Sequence, residues 1–228
     1  MALPNSLGLH EEILLLAMRD KEGTIGFGVN YQFAIAGAVA AELLLNNRIE
    51  VENTKKKMVN LLSQKPLGDP ILDECLEKIS SAKRRASMTT WVQRFARLKG
   101  IKHRVAQQLC QRGILRVDED KVLLIFSRKI YPEVTHKPEQ ELVSKLKDAI
   151  FTNRRDLDPR TVVLVALAFH GGMLKLSFEK SRIKERKKRI EDIISGEAAG
   201  QATKEAIQAM QAAVMAAVIV PTVIAGAS

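Results

Sequence analysis

The residues best able to do chemistry in this chain are four histidines and two cysteines, and their spacing keeps them apart. His10, His103, His136 and His170 show no metal-ligand spacing, and Cys75 and Cys110 form no CxxC pair. The sequence has no phosphate-cradling GxxxxGK[ST] loop, no GxGxxG turn and no GxSxG elbow. His170, beside Gly171-Gly172, reads as a structural histidine at a buried helix end. Glu42 interrupts a mostly apolar stretch and reads as a cap or bridge to a neighbouring element rather than a general acid. The pattern favours binding over catalysis and implies neither a metal nor a cofactor.

Charge carries the stronger signal. The 228 residues include 36 Lys and Arg against 26 Asp and Glu, a net charge of +10. From Lys83 to Val117 there is no acid, and Lys83, Arg84, Arg85, Arg94, Arg97, Lys99, Lys102, Arg104, Arg112 and Arg116 account for the whole excess. One surface is therefore expected to attract anions: lipid headgroups, nucleic acid phosphates or an acidic protein.

The elements around this segment read as mainly helical. With 46% hydrophobic and only 4% aromatic residues, the composition fits one globular domain over 1–228 and does not favour an aromatic-rich β architecture. Helices are predicted over Leu9–Met18 and Gln32–Leu45, with a short strand at Ile49–Val51, an apolar run at Met58–Leu62, and a helix after Asp69 or Asp73. The basic segment holds one helix capped by Thr89 or Thr90, with Trp91, Phe95 and Leu98 on one face, and another over Ile101–Arg112 that stops at Gly113. A hairpin follows: Ile114–Val117, a turn at Asp118–Asp120, then Lys121–Phe126. Pro138 and Asp158-Pro159 open two further helices, and Leu174–Ser195 reads as one long solvated helix. The closing stretch, about 202–220, reads as a buried alanine-rich helix rather than a membrane span.

Two binding readings follow from these elements. A helix followed by a hairpin is the order of a winged helix, with Lys99, Lys102 and Arg104 on phosphate. Basic side chains beside the apolar run Val122–Phe126 also suit a membrane surface, where headgroup attraction and apolar insertion add. The apolar run favours lipid. A protein–protein scaffold, with the hairpin completing an oligomer, is the third reading.

Several residues in order also resemble the Golgi phosphoprotein 3 family. These are Leu7-Gly8-Leu9-His10-Glu11-Glu12-Ile13-Leu14-Leu15-Leu16, then Asp20-Lys21-Glu22-Gly23, Gly37, Glu42-Leu43 and Arg48-Ile49. Gly68-Asp69, Leu72-Asp73-Glu74, Trp91, Arg104-Val105-Ala106, Arg112-Gly113-Ile114-Leu115, Asp158 and Arg160-Thr161 extend the resemblance over roughly Leu7 to Val220. It implies a mainly α fold: a single domain with a central helical bundle wrapped by amphipathic helices, short strands, and one projecting β-hairpin (basic helix and hairpin over 89–126). It also implies a non-enzymatic, peripheral adaptor on the cytosolic membrane face, on the Golgi in a eukaryote. Such an adaptor binds phosphatidylinositol 4-phosphate in a basic pocket and holds client proteins by their cytoplasmic tails.

By position, the resemblance puts the family's headgroup tryptophan near Phe27, a second-helix arginine at Ala36, and two arginines at Lys99 and Lys102. Only the two lysines keep a charge, and Arg104 is the nearest compensator. The implied headgroup residues are therefore Lys99, Lys102, Arg104 and Phe27. Leu123, Leu124, Ile125 and Phe126 are expected to insert into lipid or join copies of the chain. The chain starts close to the family core without the long polar tail of eukaryotic members, which is the pattern expected of a prokaryotic relative.

Overall fold

The computed structural model describes residues 6–19, 22–122, 126–197 and 211–217. Its centre is α1 (Leu9–Ala17), whose nine residues are all buried. A helix hidden on every side must be the axis that the others wrap. A two-stranded turn, β1 (Met18–Arg19) with β2 (Thr24–Ile25), leads to α2 (Tyr31–Leu45). α2 carries Ala34, Ala36, Ala38, Ala40 and Ala41 in the core, so neighbouring backbones come close. A Cβ built on Gly37 would lie 2.8 Å from the Ala217 Cβ and 3.0 Å from Leu167 Cδ2.

β3 (Ile49–Val51) pairs antiparallel with β4 (Val59–Leu61), and α3 (Pro70–Ser80) follows. Asp69 caps α3, accepting the N–H groups of Ile71 and Leu72 at 2.9 Å. Asp73 instead braces the preceding loop through the N–H groups of Leu67 and Gly68. α4 (Met88–Ala96) starts earlier than Thr89 or Thr90 would set it. A bridge between Met58 and Ser87 fixes the chain there, and Ser87 accepts the Thr90 N–H.

α5 (Ile101–Gln111) and α6 (Lys137–Phe151) flank the hairpin β5 (Asp118–Val122) and β6 (Phe126–Ile130). The expected turn at Asp118–Asp120 is in fact strand, in register from Asp118↔Ile130 to Val122↔Phe126. Acids normally favour turns, but here Asp120 accepts from Arg128 across the ladder at 2.7 Å, and opposite charges on facing strands stabilise pairing.

α7 (Pro159–His170) is capped by Asp158, which accepts the Thr161 N–H at 3.0 Å. The single helix expected over Leu174–Ser195 is three pieces: α8 (Leu174–Ser177), α9 (Lys180–Glu185) and α10 (Lys187–Ile194). Phe178 breaks it by turning edge-on to Phe151 with extended backbone. Arg186 and Arg189, expected on a solvated face, reach back to the Phe151, Ala149 and Arg154 carbonyls and close the end of α6. Residues 211–217 are helical, with Ala213, Val214, Ala216 and Ala217 buried; the rest of the expected closing helix lies outside the described residues. His170 is exposed, against the expectation of a buried helix end.

The start of α1 concentrates buried charge. Glu11 accepts the Gly8 N–H at 2.8 Å and meets Arg112 Nε at 2.9 Å. Glu42 accepts the Leu9 N–H at 2.6 Å and pairs with Arg160 Nη1 at 2.8 Å, so it is the bridge its place on an apolar helix suggested. Arg160 Nη2 also donates to the Leu7 carbonyl. His10 Nε2 lies 3.2 Å from Asp69 Oδ2, which also accepts from Gln108 at 2.9 Å. The same few residues thus tie α1 to α2, α3, α5 and α7.

Burial alone would push the His10 imidazole down, but Asp69, with Glu11 and Glu42, holds it above its ordinary 6.5. Burial opposes ionisation of Asp69 too, yet the hydrogen bond and charge of His10 hold that carboxyl at about 2.

Two predictions follow from this packing. Gly37→Val should cost about 1–3 kcal/mol, read as a lower melting temperature by circular dichroism. The His10–Asp69 pair should contribute fully between pH 3.8 and 6.5. Its contribution falls as pH rises through the raised His10 value, and as pH drops from 3.8 towards about 2 with Asp69. Urea denaturation across pH should show the alkaline loss in the native chain and a smaller one in His10→Asn.

Candidate anion-binding surface

α4 and α5 are set by their apolar sides. Trp91, Val92 and Phe95 pack α4 inward, and Arg94 covers the Trp91 ring at 4.6 Å. Ile101, Val105, Ala106 and Leu109 pack α5 inward, which leaves Lys102, His103 and Arg104 on its outer side. Gly100, at φ +65°, reverses the chain into α5 and offers no side-chain oxygen to its first turn. Gly113, at φ +71°, ends the helix as its sequence position predicts.

The run from Lys83 to Val117 lacks acids in sequence but not in space. Arg85 pairs with Glu52, Arg104 with Glu74, Arg112 with Glu11 and Arg116 with Asp118. Arg104 is thereby committed to α3. No carboxylate among the described residues lies within ion-pair reach of Lys99 or Lys102. Lys99 is exposed and Lys102 half-buried. Burial, and then the nearby Arg128 of β6, push the Lys102 ammonium below its ordinary 10.5.

His103 continues this cluster. Its Nδ1 lies 2.9 Å from the Tyr131 hydroxyl, with ring centroids 5.6 Å apart. Burial, Lys102 and Lys129 together hold its imidazole below the ordinary 6.5. Tyr131 is buried just after β6, and its N–H donates to the Gly23 carbonyl at 2.9 Å. Gly23 sits so tightly there that a Cβ would lie 2.3 Å from the Pro132 nitrogen. Tyr131 therefore joins the base of the hairpin, the β1–β2 turn and the first turn of α5.

The remaining expected site residues are dispersed. Phe27 stands 89% exposed in the loop between β2 and α2, where Lys175 donates to the next carbonyl, that of Gly28. Ala36 is fully buried within α2 and presents nothing to solvent. Leu123, Leu124 and Ile125 connect β5 to β6 and lie outside the described residues; the Phe126 backbone pairs with Val122. The expectation of the apolar run as a strand over Lys121–Phe126 is thus corrected, because the ladder begins at Asp118. Cavities of 360–720 Å³ among the described residues are lined by other side chains, one of about 720 Å³ by Leu7, Glu12, Arg112 and Leu142. Sequence reading missed His103, Lys129 and Tyr131. The charges of Arg128-Lys129 directly after the apolar run were the available signal.

No helix among the described residues is long and apolar enough to cross a membrane. Vacuolar protein sorting-associated protein 74 of Schizosaccharomyces pombe is 24% identical to this chain, over 82% of the chain and 66% of that relative, so the chain spans about two thirds of its length. The family profile described as Golgi phosphoprotein 3 (GPP34) matches residues 9–210, which takes in α1, α5, the hairpin and α7 together. With its all-buried α1, its mainly helical single-domain build and that match, the chain belongs to the Golgi phosphoprotein 3 family.

Proposed function

We propose that this chain is a non-enzymatic, peripheral membrane-binding adaptor that takes anionic lipid headgroups at the start of α5. The observation that carries the reading is Lys102. It is half-buried on the first turn of a helix that has no side-chain cap, without an acidic partner, and repelled by Arg128. A cation kept where its own protein disfavours charge is stabilised once an anion sits against it. Helix N–H groups at the same turn favour the same ligand. Lys99 adds an exposed charge one turn earlier, and the exposed Phe27 ring is assigned to apolar contact with the membrane.

Leu123, Leu124, Ile125 and Phe126 are assigned to the acyl boundary or to contact with a second copy. Arg104 reaches a headgroup only by releasing Glu74, so it plays the lesser part. Because lysine is a point charge without the fork of arginine, phosphatidylinositol 4-phosphate is read here as one anionic headgroup among several. The family match and the sorting-associated name of the fission-yeast relative support a role on cytosolic membrane faces, the Golgi in a eukaryotic cell, with cytoplasmic tails of membrane proteins as clients. Asp118, Glu119 and Asp120 on β5 oppose a nucleic-acid backbone and an anionic headgroup alike, so the family match rather than charge favours lipid over the winged-helix alternative.

A basic residue near an anionic surface is worth about 1 kcal/mol, so Lys99→Glu with Lys102→Glu should weaken binding to anionic vesicles by at least about tenfold. Co-sedimentation reads this directly, and undiminished binding would remove these lysines from the site. Leu124→Asp should weaken binding to the same vesicles, read by the same co-sedimentation.

A further inference from the structure

We infer that hairpin strand β6 completes this headgroup site: Lys129 and the outward nitrogen of His103 join Lys102 in binding a phosphate monoester, and His103 takes up a proton from solvent as the anion arrives. The inference rests on the headgroup reading above and goes beyond it by adding a second element and a proton linkage.

Tyr131 fixes the geometry. Its hydroxyl holds His103 Nδ1, which orients the imidazole and leaves Nε2 without a partner among the described residues. Lys129 lies on β6 two residues before Tyr131, close enough to His103 for its charge to act on the imidazole. His103 and Lys102 are adjacent on the first turn of α5. His103 thus has two ammonium groups near enough to act on it, Lys102 beside it on α5 and Lys129 on β6.

On α5, Arg104 is engaged by Glu74. On the hairpin, Arg128 is engaged by Asp120, and Glu119 faces Lys129 across the ladder but forms no ion pair within 4 Å. Cys110 stands near Tyr131, and Arg19 pairs with Glu22 on the β1–β2 turn. Burial first, and then the lysines beside His103, lower its pKa in the empty site. An anion between them cancels that repulsion and adds an acceptor for Nε2, which favours the imidazolium. Both imidazole nitrogens then donate, one to Tyr131 and one to the anion.

The test uses the full chain and phosphatidylcholine vesicles doped with phosphatidylinositol 4-phosphate, sedimented at about pH 5.5 and about pH 7.5, either side of the imidazole range. The headgroup titrates too, so the comparison is between the native chain and His103→Gln, which see the same vesicles. The native chain should gain affinity relative to His103→Gln by about three- to tenfold on going to the lower pH. Lys129→Gln, altering an exposed strand residue, should lose about fivefold at either pH and melt as the native chain does. Equal pH response in the native chain and His103→Gln, or unchanged binding by Lys129→Gln, would overturn the inference while leaving the headgroup reading intact. No binding by the native chain at either pH would overturn both. Soluble inositol 1,4-bisphosphate should displace the bound chain where equal inorganic phosphate does not; equal displacement by both would assign the site to free phosphate and overturn the lipid source.

Discussion

The fold is held by a buried polar knot at the first turn of α1. His10, Glu11, Glu12 and Glu42 are removed from water, a placement that costs several kcal/mol per unpaired charge. The cost is offset by partners from three neighbouring elements: Asp69 from the cap of α3, Arg112 from the end of α5 and Arg160 from the start of α7. Apolar packing alone would let helices of similar shape slide or exchange places. Charges that must meet one partner each specify which helix end lies against which. α1 can therefore be hydrophobic on its remaining faces without losing its register.

That constraint positions the functional surface. Arg112 anchors the last turn of α5 to Glu11, and the buried side of α5 sets its rotation. Lys102 and His103 consequently face outward at the opposite end, against the hairpin base that Tyr131 fixes. The distribution of charge follows. The arginines Arg85, Arg104 and Arg112 join separate segments of the chain, while Lys99, Lys102 and Lys129, which form no ion pair among the described residues, are the ones the proposed headgroup site uses. The arginine fork suits fixed internal pairing, and lysine, a hydrated point charge on a flexible stem, suits a mobile headgroup.

Much of this was legible from local rules. The Asp69 and Asp158-Pro159 caps, the Gly113 stop and the apolar faces of α2, α5 and α6 follow from capping chemistry and helical spacing. What failed depends on partners distant in sequence. Asp118–Asp120 has turn composition, and the Arg128 that meets Asp120 across the ladder lies too far along the chain for a turn rule to see it. Arg186 and Arg189 look solvated until the carbonyls at the end of α6 are in place. Ser87 displaces the threonines as cap because Met58 pins it. The acid-free run overstated the exposed charge for the same reason, since its acids come from other helices. Lys99 and Lys102 were visible by charge, whereas His103 gained meaning only through Tyr131.

The most direct measurement is co-sedimentation of the native chain with three vesicle sets: neutral lipid, neutral lipid with phosphatidylserine, and neutral lipid with phosphatidylinositol 4-phosphate. The account predicts binding to both anionic sets, none to the neutral set, and a decline as salt rises. Equal binding to neutral and anionic vesicles, or none to any, would contradict it.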